Sequence, residues 1–546
     1  DKLMILDIGG YPVYYGNPIE SVIYFKTITN QINQEIGECE TCGNVNPEQI
    51  FDIIEAKEVD EFGNHTSMRK IEPLKWNEFY KSKINIETSN KNSEVDTLEK
   101  IKQPNLLKQF SVFFKRDFFA RISDKQYLLI ALLEAPVLGL VLSFIIRSSS
   151  NADGEYLFGS NQNIPAYIFM LVIVALFVGL TISAEEIFKD QKIRKREKFL
   201  RLSQMSYLSS KTSYLILLSA FQSFLLCAVG NLVLSIFDNF ITYWAIVFSV
   251  FVFGNLIGLI LSSSFKSIVT IYIIIPLVII PQMILGGAMF KFENLNKSIG
   301  GGYHVPLISK FMIANWGYES IMVSQFSKNK YQKEFFDHDQ LLSDYSYRKS
   351  YLYPCMDDIL KEQIEKGQLA SDQCSDTVIN TLKFELKRFE SEDQLGVSQK
   401  ENTIVEAQLI IEKLDDYYND KYNDVLKLRD QKILSLQASL GENVFTGLKK
   451  NQYNGDVAEI VQNTLTSDRY FIENSFIYQN YDHIYMRDHL HPDYTSNGSF
   501  MYTSNKSFFG TQLSTFWFNL TIIWIFNVLL FMILYFNVLK RIISII

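Results

Sequence analysis

Six long apolar runs dominate this sequence, and a densely basic segment, KDQKIRKREKFLR at 189–201, joins the second run to the third. A helix of about 20 apolar residues crosses the roughly 30 Å hydrocarbon core of a bilayer. The sequence therefore predicts an α-helical, multi-pass membrane protein, which excludes a soluble enzyme. The predicted spans are Tyr127–Ile146, Pro165–Ala184, Tyr214–Ile236, Tyr243–Ser262, Ile268–Phe290 and Leu513–Leu539.

The basic segment also predicts the orientation, because Lys and Arg in short connections indicate the cytoplasmic side. Counting from it places residues 147–164, 237–242 and 291–512 outside, and both chain ends inside. A net charge of −8 argues against a nucleic-acid partner. Frequent Asn, Lys, Ile and Tyr suggest an AT-rich bacterial genome, so we expect the bacterial inner membrane.

Polar and apolar stretches divide the chain into five segments. Residues 1–80 read as soluble, with a hairpin around Gly9-Gly10 followed by helices from Pro18 and over 47–56. The apolar opening suggests that Asp1 is the cut end of a longer protein. The remaining segments are a polar linker at 81–103, the first five spans with flanking helices at 104–326, an extracytoplasmic domain at 327–511, and the last span at 512–546.

Three features lie outside the spans. Residues 105–124 alternate aromatic and basic residues and predict a helix in the membrane interface. Apolar residues at helical spacing predict two or three long helices over 377–440. The local duplication YTSNGSF at 494–500 and YTSNKSF at 502–508 predicts a hairpin or a leg that returns to the membrane.

No phosphate loop, H-E-x-x-H or G-x-S-x-G motif occurs in the sequence. The function must therefore be membrane passage, binding or force transmission. Polar residues inside the spans either line a path or pin helices together by hydrogen bonds. Pro136, Pro276 and Pro281 should kink or break their helices, and a glycine pair after Pro281 suits a gate or static packing. The candidates for a path or for packing are Glu134, Asn255, Gln282, Gly286 and Gly287. Interhelical packing is favoured for Asn255 and Gln282, as it is for Gln222 and Asn231.

Cysteines and histidines give weak signals. Cys39 and Cys42 form a lone C-x-x-C that favours incidental thiols over metal or redox use. Cys355 and Cys374 are candidates for a disulfide if their segment is outside the cytoplasm. Histidines near aspartates at 482–493 lack a distinctive ligand spacing, so no metal site is predicted.

Several segments of the chain carry a family resemblance. DKLMILDIGGYPVYYGNPIESVIYF at the start and NVNPEQIFDII at 44–54 look like the end of the nucleotide-binding domain in the G-subfamily of ABC transporters. NLLKQFSVFFKRDFFARISD at 105–124 resembles the connecting helix, and ISAEEIFKDQKIRKREKFLRLSQMSYLSSK at 182–211 is similar to the coupling region. LGGAMFKFENL and NWGYES resemble the end of the fifth span and the outer re-entrant helices. Together these matches cover roughly 1–80, 104–326 and 512–546.

The resemblance implies a six-helix ABC-2 type membrane domain that works as a dimer with a second copy. ATP and Mg would be bound by an upstream domain, and hydrolysis would drive export of a substrate that the sequence does not identify. Glu185, Glu186, Arg196 and Glu197 would transmit force. The outer segment is longer than the family's, which leaves open an alternative: a membrane-anchored scaffold whose outer domain binds an envelope partner.

Overall fold

The computed structural model describes residues 2–30, 48–60, 63, 65–83, 104–148, 156–197, 202–296, 298–299, 303–365, 373–392, 404–486, 500–508 and 511–545. Contacts divide the chain into two units, Asp1–Lys102 and Gln103–Ile546. The C-x-x-C pair, the first copy of the duplication up to residue 499, and the histidines at 489 and 491 fall outside the described residues.

The first unit is a small α/β piece. Its opening strands form the predicted antiparallel hairpin, and Gly9 and Gly10 turn the chain with φ of 89° and 79°. Phe25 and Trp76 are fully buried in its core. The elements are β1 Leu3–Asp7, β2 Tyr11–Gly16, α1 Pro18–Ile28, α2 Glu48–Ile54, β3 Lys57–Val59, β4 His65–Arg69 and α3 Pro73–Lys83.

The second unit begins with a bundle of apolar helices. Its elements are α4 Leu106–Ser123, α5 Lys125–Ile146, α6 Ile164–Ser183, α7 Glu186–Glu197, α8 Gln204–Val233, α9 Phe240–Ser264, α10 Ile268–Ile284 and α11 Ile313–Ser327. The outer segment then adds α12 Phe336–Tyr347, α13 Tyr353–Glu365, α14 Gln373–Glu392, α15 Ile404–Leu440, α16 Glu442–Gln452, α17 Gly455–Gln462, β5 Tyr470–Glu473, β6 Phe476–Gln479, β7 Asn505–Phe508 and β8 Thr511–Ser514. The chain closes with α18 Thr515–Tyr535 and α19 Val538–Ile545.

Five helices among the described residues are long and apolar enough to cross a membrane, in contrast to the six predicted spans. They are α5, α6, α8, α9 and α18, with α6 continuing almost directly into α7. The predicted fifth span, Ile268–Phe290, is too long. Its helix α10 ends at Ile284 after 17 residues, which rise only about 25 Å. The chain then turns through Gly287, whose φ is +79°.

The tightest packing joins α6 to α9. A Cβ on Gly254 would lie 2.6 Å from the Leu176 carbonyl oxygen, and one on Gly179 would lie 2.5 Å from the Phe251 carbonyl oxygen. The two backbones therefore touch without a layer of side chains between them.

Polar contacts gather the predicted outer loops at one end of the bundle. Asn454, which caps α17, donates hydrogen bonds to the carbonyls of Phe158 and Asn161 at 2.8 and 2.9 Å. Lys330 pairs with Asp238 at 3.1 Å. The loops before α6 and α9 thus lie beside the outer segment, as the orientation predicted from the basic segment requires.

Helix α11 is a core element of the bundle. Every residue from Ile313 to Phe326 is buried, including Glu319, among α6, α9, α10, α17 and α18. Farther out, α12 to α15 enclose a second core that includes Met356, Tyr353 and Tyr418. The long helices α14 and α15 confirm the prediction over 377–440. The second copy of the duplication contains β7, which pairs with β8 just before α18; the hairpin or leg predicted for the two copies together stays a prediction.

Candidate functional site

The start of α7 is fixed to the end of α9 by a backbone cap. The first N–H groups of a helix lack partners inside the helix. Here the Ser262 hydroxyl oxygen accepts hydrogen bonds from the N–H groups of Ile187 and Phe188, at 3.1 and 2.9 Å. The basic segment that the sequence singled out therefore begins as a helix with a defined position on the bundle.

A buried charge cluster, composed of Asp117, Arg121, Glu186, Asp190 and Lys211, lies beside this cap. The Lys211 ammonium is 2.9 Å from Asp190 Oδ2, and 3.4 Å from both Asp117 Oδ2 and Glu186 Oε2. Arg121 forms an ion pair with the same Glu186 carboxylate. The cluster therefore joins three helices, since α4 contributes two residues, α7 contributes two and α8 contributes Lys211.

The cluster is expensive to break because it is shielded from water. The side chains of Lys211 and Glu186 are each only 3% exposed. Burial raises the pKa of the Asp117 carboxyl, and the nearby Lys211 opposes that shift. The Tyr207 hydroxyl donates a further hydrogen bond to Asp190 at 2.9 Å. Removing one member leaves an opposite charge buried, which typically costs about 3–5 kcal/mol.

The four predicted force-transmitting residues are in different environments. Glu186 belongs to the charge cluster. Glu185 accepts a hydrogen bond from the Tyr272 hydroxyl on α10 at 2.9 Å, and Glu197 pairs with Arg116 on α4 at 2.9 Å. Arg196 is exposed. The structure thus connects three of them to the bundle and leaves the fourth on the outward face of α7.

Among the residues predicted for a path or for packing, the hydrogen-bonded ones hold elements together. Asn255 donates to the Ser219 hydroxyl oxygen on α8 at 2.6 Å. Gln282 accepts from the N–H of Ala314, in the first turn of α11, at 3.0 Å. Gln222 and Asn231 also bond across helices, to Ala131 and Tyr167.

The remaining candidates differ. A Cβ on Gly286 would lie 2.7 Å from the Phe169 ring, and one on Gly287 would lie 2.8 Å from the Met501 side chain, so both glycines are tightly packed. Glu134 lies half-buried on α5. Its carboxylate forms no hydrogen bond with any described residue. Its role in a path stays a prediction.

The cysteine and histidine predictions remain open. Cys355 is a buried free thiol, and the side chain of Cys374 is outside the described residues, so their pairing stays a prediction. His483 is buried at the end of the outer domain. Within the described part of the chain, no group of His, Cys, Asp or Glu is arranged to hold a metal ion.

A second buried ion pair lies toward the other end of the bundle. Glu319 on α11 accepts from Lys506 on β7 at 2.7 Å, from Asn519 on α18 at 2.9 Å, and from the N–H of Tyr502 at 3.0 Å. Sequence reasoning did not single out Glu319, Lys506, Asp117, Arg121 or Lys211 as site residues. The sequence feature that could have identified them is a charged residue within an otherwise apolar or small-residue stretch, as at Lys211 in α8.

Residues 108–326 match the model of the family described as ABC-2 type transporter. This part of the chain is an ABC-2 type membrane domain. It contains α7, most of α4, the charge cluster and α11. The match confirms the predicted ABC-2 type membrane domain, and it supports a permease component of an ABC transporter and an integral, multi-pass membrane protein. The finer resemblances, to the G-subfamily and of residues 1–80 to the end of a nucleotide-binding domain, stay predictions. No curated protein matches the chain.

Proposed function

We propose that this chain is the membrane part of an ATP-driven ABC exporter, and that α7 transmits force from an ATP-hydrolysing domain to the spans. The observation that carries the proposal is the charge cluster. If α7 moved alone, it would separate Glu186 and Asp190 from Arg121 and Lys211 inside a dry site. Because that separation is costly, α4, α7 and α8 respond to a displacement together.

The outward face of α7 suits contact with a soluble domain. Lys192, Ile193 and Arg196 are exposed there, on the side away from the bundle. A basic rim around an apolar side chain complements an acidic surface with an apolar pocket, and charge complementarity fixes the register of such a contact.

ATP and Mg would be held by that domain, because the present sequence has no phosphate loop. ABC-2 permeases generally work with an ATP-binding partner and often form dimers. We extend this to a dimer with a second copy of the chain in the bacterial inner membrane.

The proposal is tested on the complete transporter, assembled with its ATP-hydrolysing domain in lipid vesicles. The measurement is ATP hydrolysis stimulated by a panel of amphiphiles. Lys211→Met should abolish most of the stimulation, because it removes the cation shared by the cluster. The matched control is Lys361→Met in the outer segment, whose exposed ammonium pairs with Asp357 at the surface. Equal stimulation in both variants would refute the coupling role.

A second candidate function is supported by the Glu319 site. Its hydrogen bonds join the hairpin that ends the outer segment to α11 and α18. This arrangement suits a scaffold that passes motion to an envelope partner without moving cargo. Amphiphile-independent ATP hydrolysis in the unmodified protein would favour this scaffold over the exporter.

A further inference from the structure

A cavity of about 720 Å³ opens beside α7, at the end of the bundle where the sequence predicts the cytoplasm. Its basic lining comes from two elements distant in sequence: Arg194 and Lys195 on α7, and Lys540 and Arg541 on α19. Five α7 residues line it. Gln191 lies four positions after Ile187, and Arg194 and Lys195 lie three and four positions after Gln191, so these four share one helix face, while Glu197 lines the cavity at the end of α7.

The cavity has an excess of positive charge. The acidic residue that lines it, Glu197, is already paired with Arg116 at 2.9 Å. Among the described residues, no carboxylate lies within ion-pair distance of Lys195, Lys540 or Arg541. Neutral hydrogen-bonding groups complete the lining, including Asn537 and Ser544. Cations with neutral donors around an open volume suit the oxygens of a phosphate group.

Helix α19, which contributes Lys540 and Arg541 to the cavity, has a sequence typical of a helix at the membrane surface. Asn537 adopts φ of +51°, which ends α18 and redirects the chain into α19. The helix sequence VLKRIISI then exposes Ile542 and Ile545, at 50% and 85%. A short helix with bulky apolar side chains beside basic ones typically lies in the headgroup region.

We propose that this cavity binds the phosphate-bearing headgroup of an anionic phospholipid from the cytoplasmic leaflet. Basic pockets between helices on this side of a membrane bind such headgroups. The lipid source is favoured over free phosphate because Phe113 and Leu202 add apolar lining, and Ile542 and Ile545 extend the apolar surface toward acyl chains. The proposal needs the spans to lie in a bilayer, but it does not depend on ATP coupling.

The test uses the full chain in detergent, titrated with dioctanoyl phosphatidylglycerol, with dioctanoyl phosphatidylcholine and with inorganic phosphate. Native mass spectrometry counts the bound lipid. The unmodified chain should prefer the anionic lipid, and Lys540→Gln with Arg541→Gln should reduce that preference by about 25-fold, at about fivefold per cation. Lys195→Gln, on the opposite wall, should reduce it by about fivefold.

Two controls separate charge from folding. Lys540→Arg with Arg541→Lys keeps both charges and should keep the lipid preference. Lys427→Gln neutralises an exposed cation of the outer segment and should have no effect. Equal binding of both lipids, an unchanged preference in the double Gln variant, or displacement of lipid by millimolar phosphate would each overturn the proposal. The proposal would also be overturned if the double Gln variant kept its lipid preference but no longer bound the ATP-hydrolysing domain. That result would assign the basic surface to a contact between proteins.

Discussion

The Lys506 ammonium lies 2.7 Å from the Glu319 carboxylate, and both side chains are almost completely buried. Lys506 also lies over the Trp316 ring, 5.1 Å from its centroid. The carboxylate simultaneously accepts hydrogen bonds from α18 and from the Tyr502 N–H. One acidic side chain of α11 therefore holds the end of the outer segment against the last span.

Replacing Lys506 by Met should destabilise the protein by about 3–5 kcal/mol, because Glu319 would remain buried without its cation. The double variant Glu319→Gln with Lys506→Met should recover part of that loss, since neither charge remains. Apparent melting temperature in detergent provides the measurement. Lys432→Gln is the control: its pair with Glu334 is exposed and should contribute less than about 1 kcal/mol. Similar losses in the Met variant and this control would contradict the buried-pair account.

Adding a methyl group should have opposite effects at two helical glycines. Gly254→Ala forces a Cβ against the Leu176 carbonyl and should destabilise the bundle by about 1–3 kcal/mol. Gly447→Ala in α16 meets no atom within 4 Å and should stabilise the protein by about 0.5–1 kcal/mol. Thermal unfolding of both variants checks the contrast. A stabilising Gly254→Ala would mean that α6 and α9 are farther apart.

Asp482 should make the outer segment more stable in mild acid. Burial raises the pKa of its carboxyl from 3.8 to about 6, whereas the hydrogen bond from Ser343 and the charge of Arg469 oppose the shift. The folded state thus binds this proton more tightly than the unfolded state does. The ionised carboxylate therefore opposes folding above pH 6, and this penalty, at most about 3 kcal/mol, is relieved as the pH falls toward 4.

Asp482→Asn should remove this contribution without straining the backbone, because Asn tolerates the positive φ of 54° at this position. The measurement is the difference in melting temperature between variant and unmodified protein at pH 7 and at pH 4.5. The variant's advantage should shrink on acidification. Asp424→Asn, at a highly exposed site, should show no such trend; a parallel trend would assign the effect to general charge repulsion.

Cysteine labelling should separate the two ends of the bundle. Cys355 is a poor reporter because its thiol is buried, so new cysteines are needed. A membrane-impermeant maleimide should label Leu434→Cys, 64% exposed on α15, on intact cells. It should label Arg196→Cys on α7 only after permeabilisation. The unmodified protein gives the background from native cysteines, and the reverse pattern would invert the orientation.

The sequence predicted the membrane helices well because apolar composition over about 20 residues is a local property. It also placed the end of the second membrane helix within one residue, at Ala184 compared with Ser183 for α6. The apolar run stops there, and seven of the thirteen residues at 189–201 are Lys or Arg. It overestimated the fifth span because apolar composition continues past Ile284, whereas the backbone turns at Gly287.

The site was less predictable because its contacts join residues far apart along the chain. Glu186 lies just before the basic segment, but its partners Arg121 and Lys211 lie on other helices. Glu319 is a charge within an otherwise apolar or small-residue stretch, but its hydrogen-bond partner Asn519 on α18 lies 200 residues later. Pairings of this kind become visible only when the helices are assembled.

The glycine contact between α6 and α9 limits which parts of this protein can move independently. Helices whose backbones touch cannot slide past each other without a clash, so the pair should rotate as a single lever. Helix α7 continues from α6, and Ser262 at the end of α9 caps the first turn of α7. Both helices of the pair are therefore connected to the basic segment. A force applied to the basic segment would therefore be transmitted along both helices to the far side of the bilayer. The helices that rearrange would be the loosely covered ones at the periphery of the bundle.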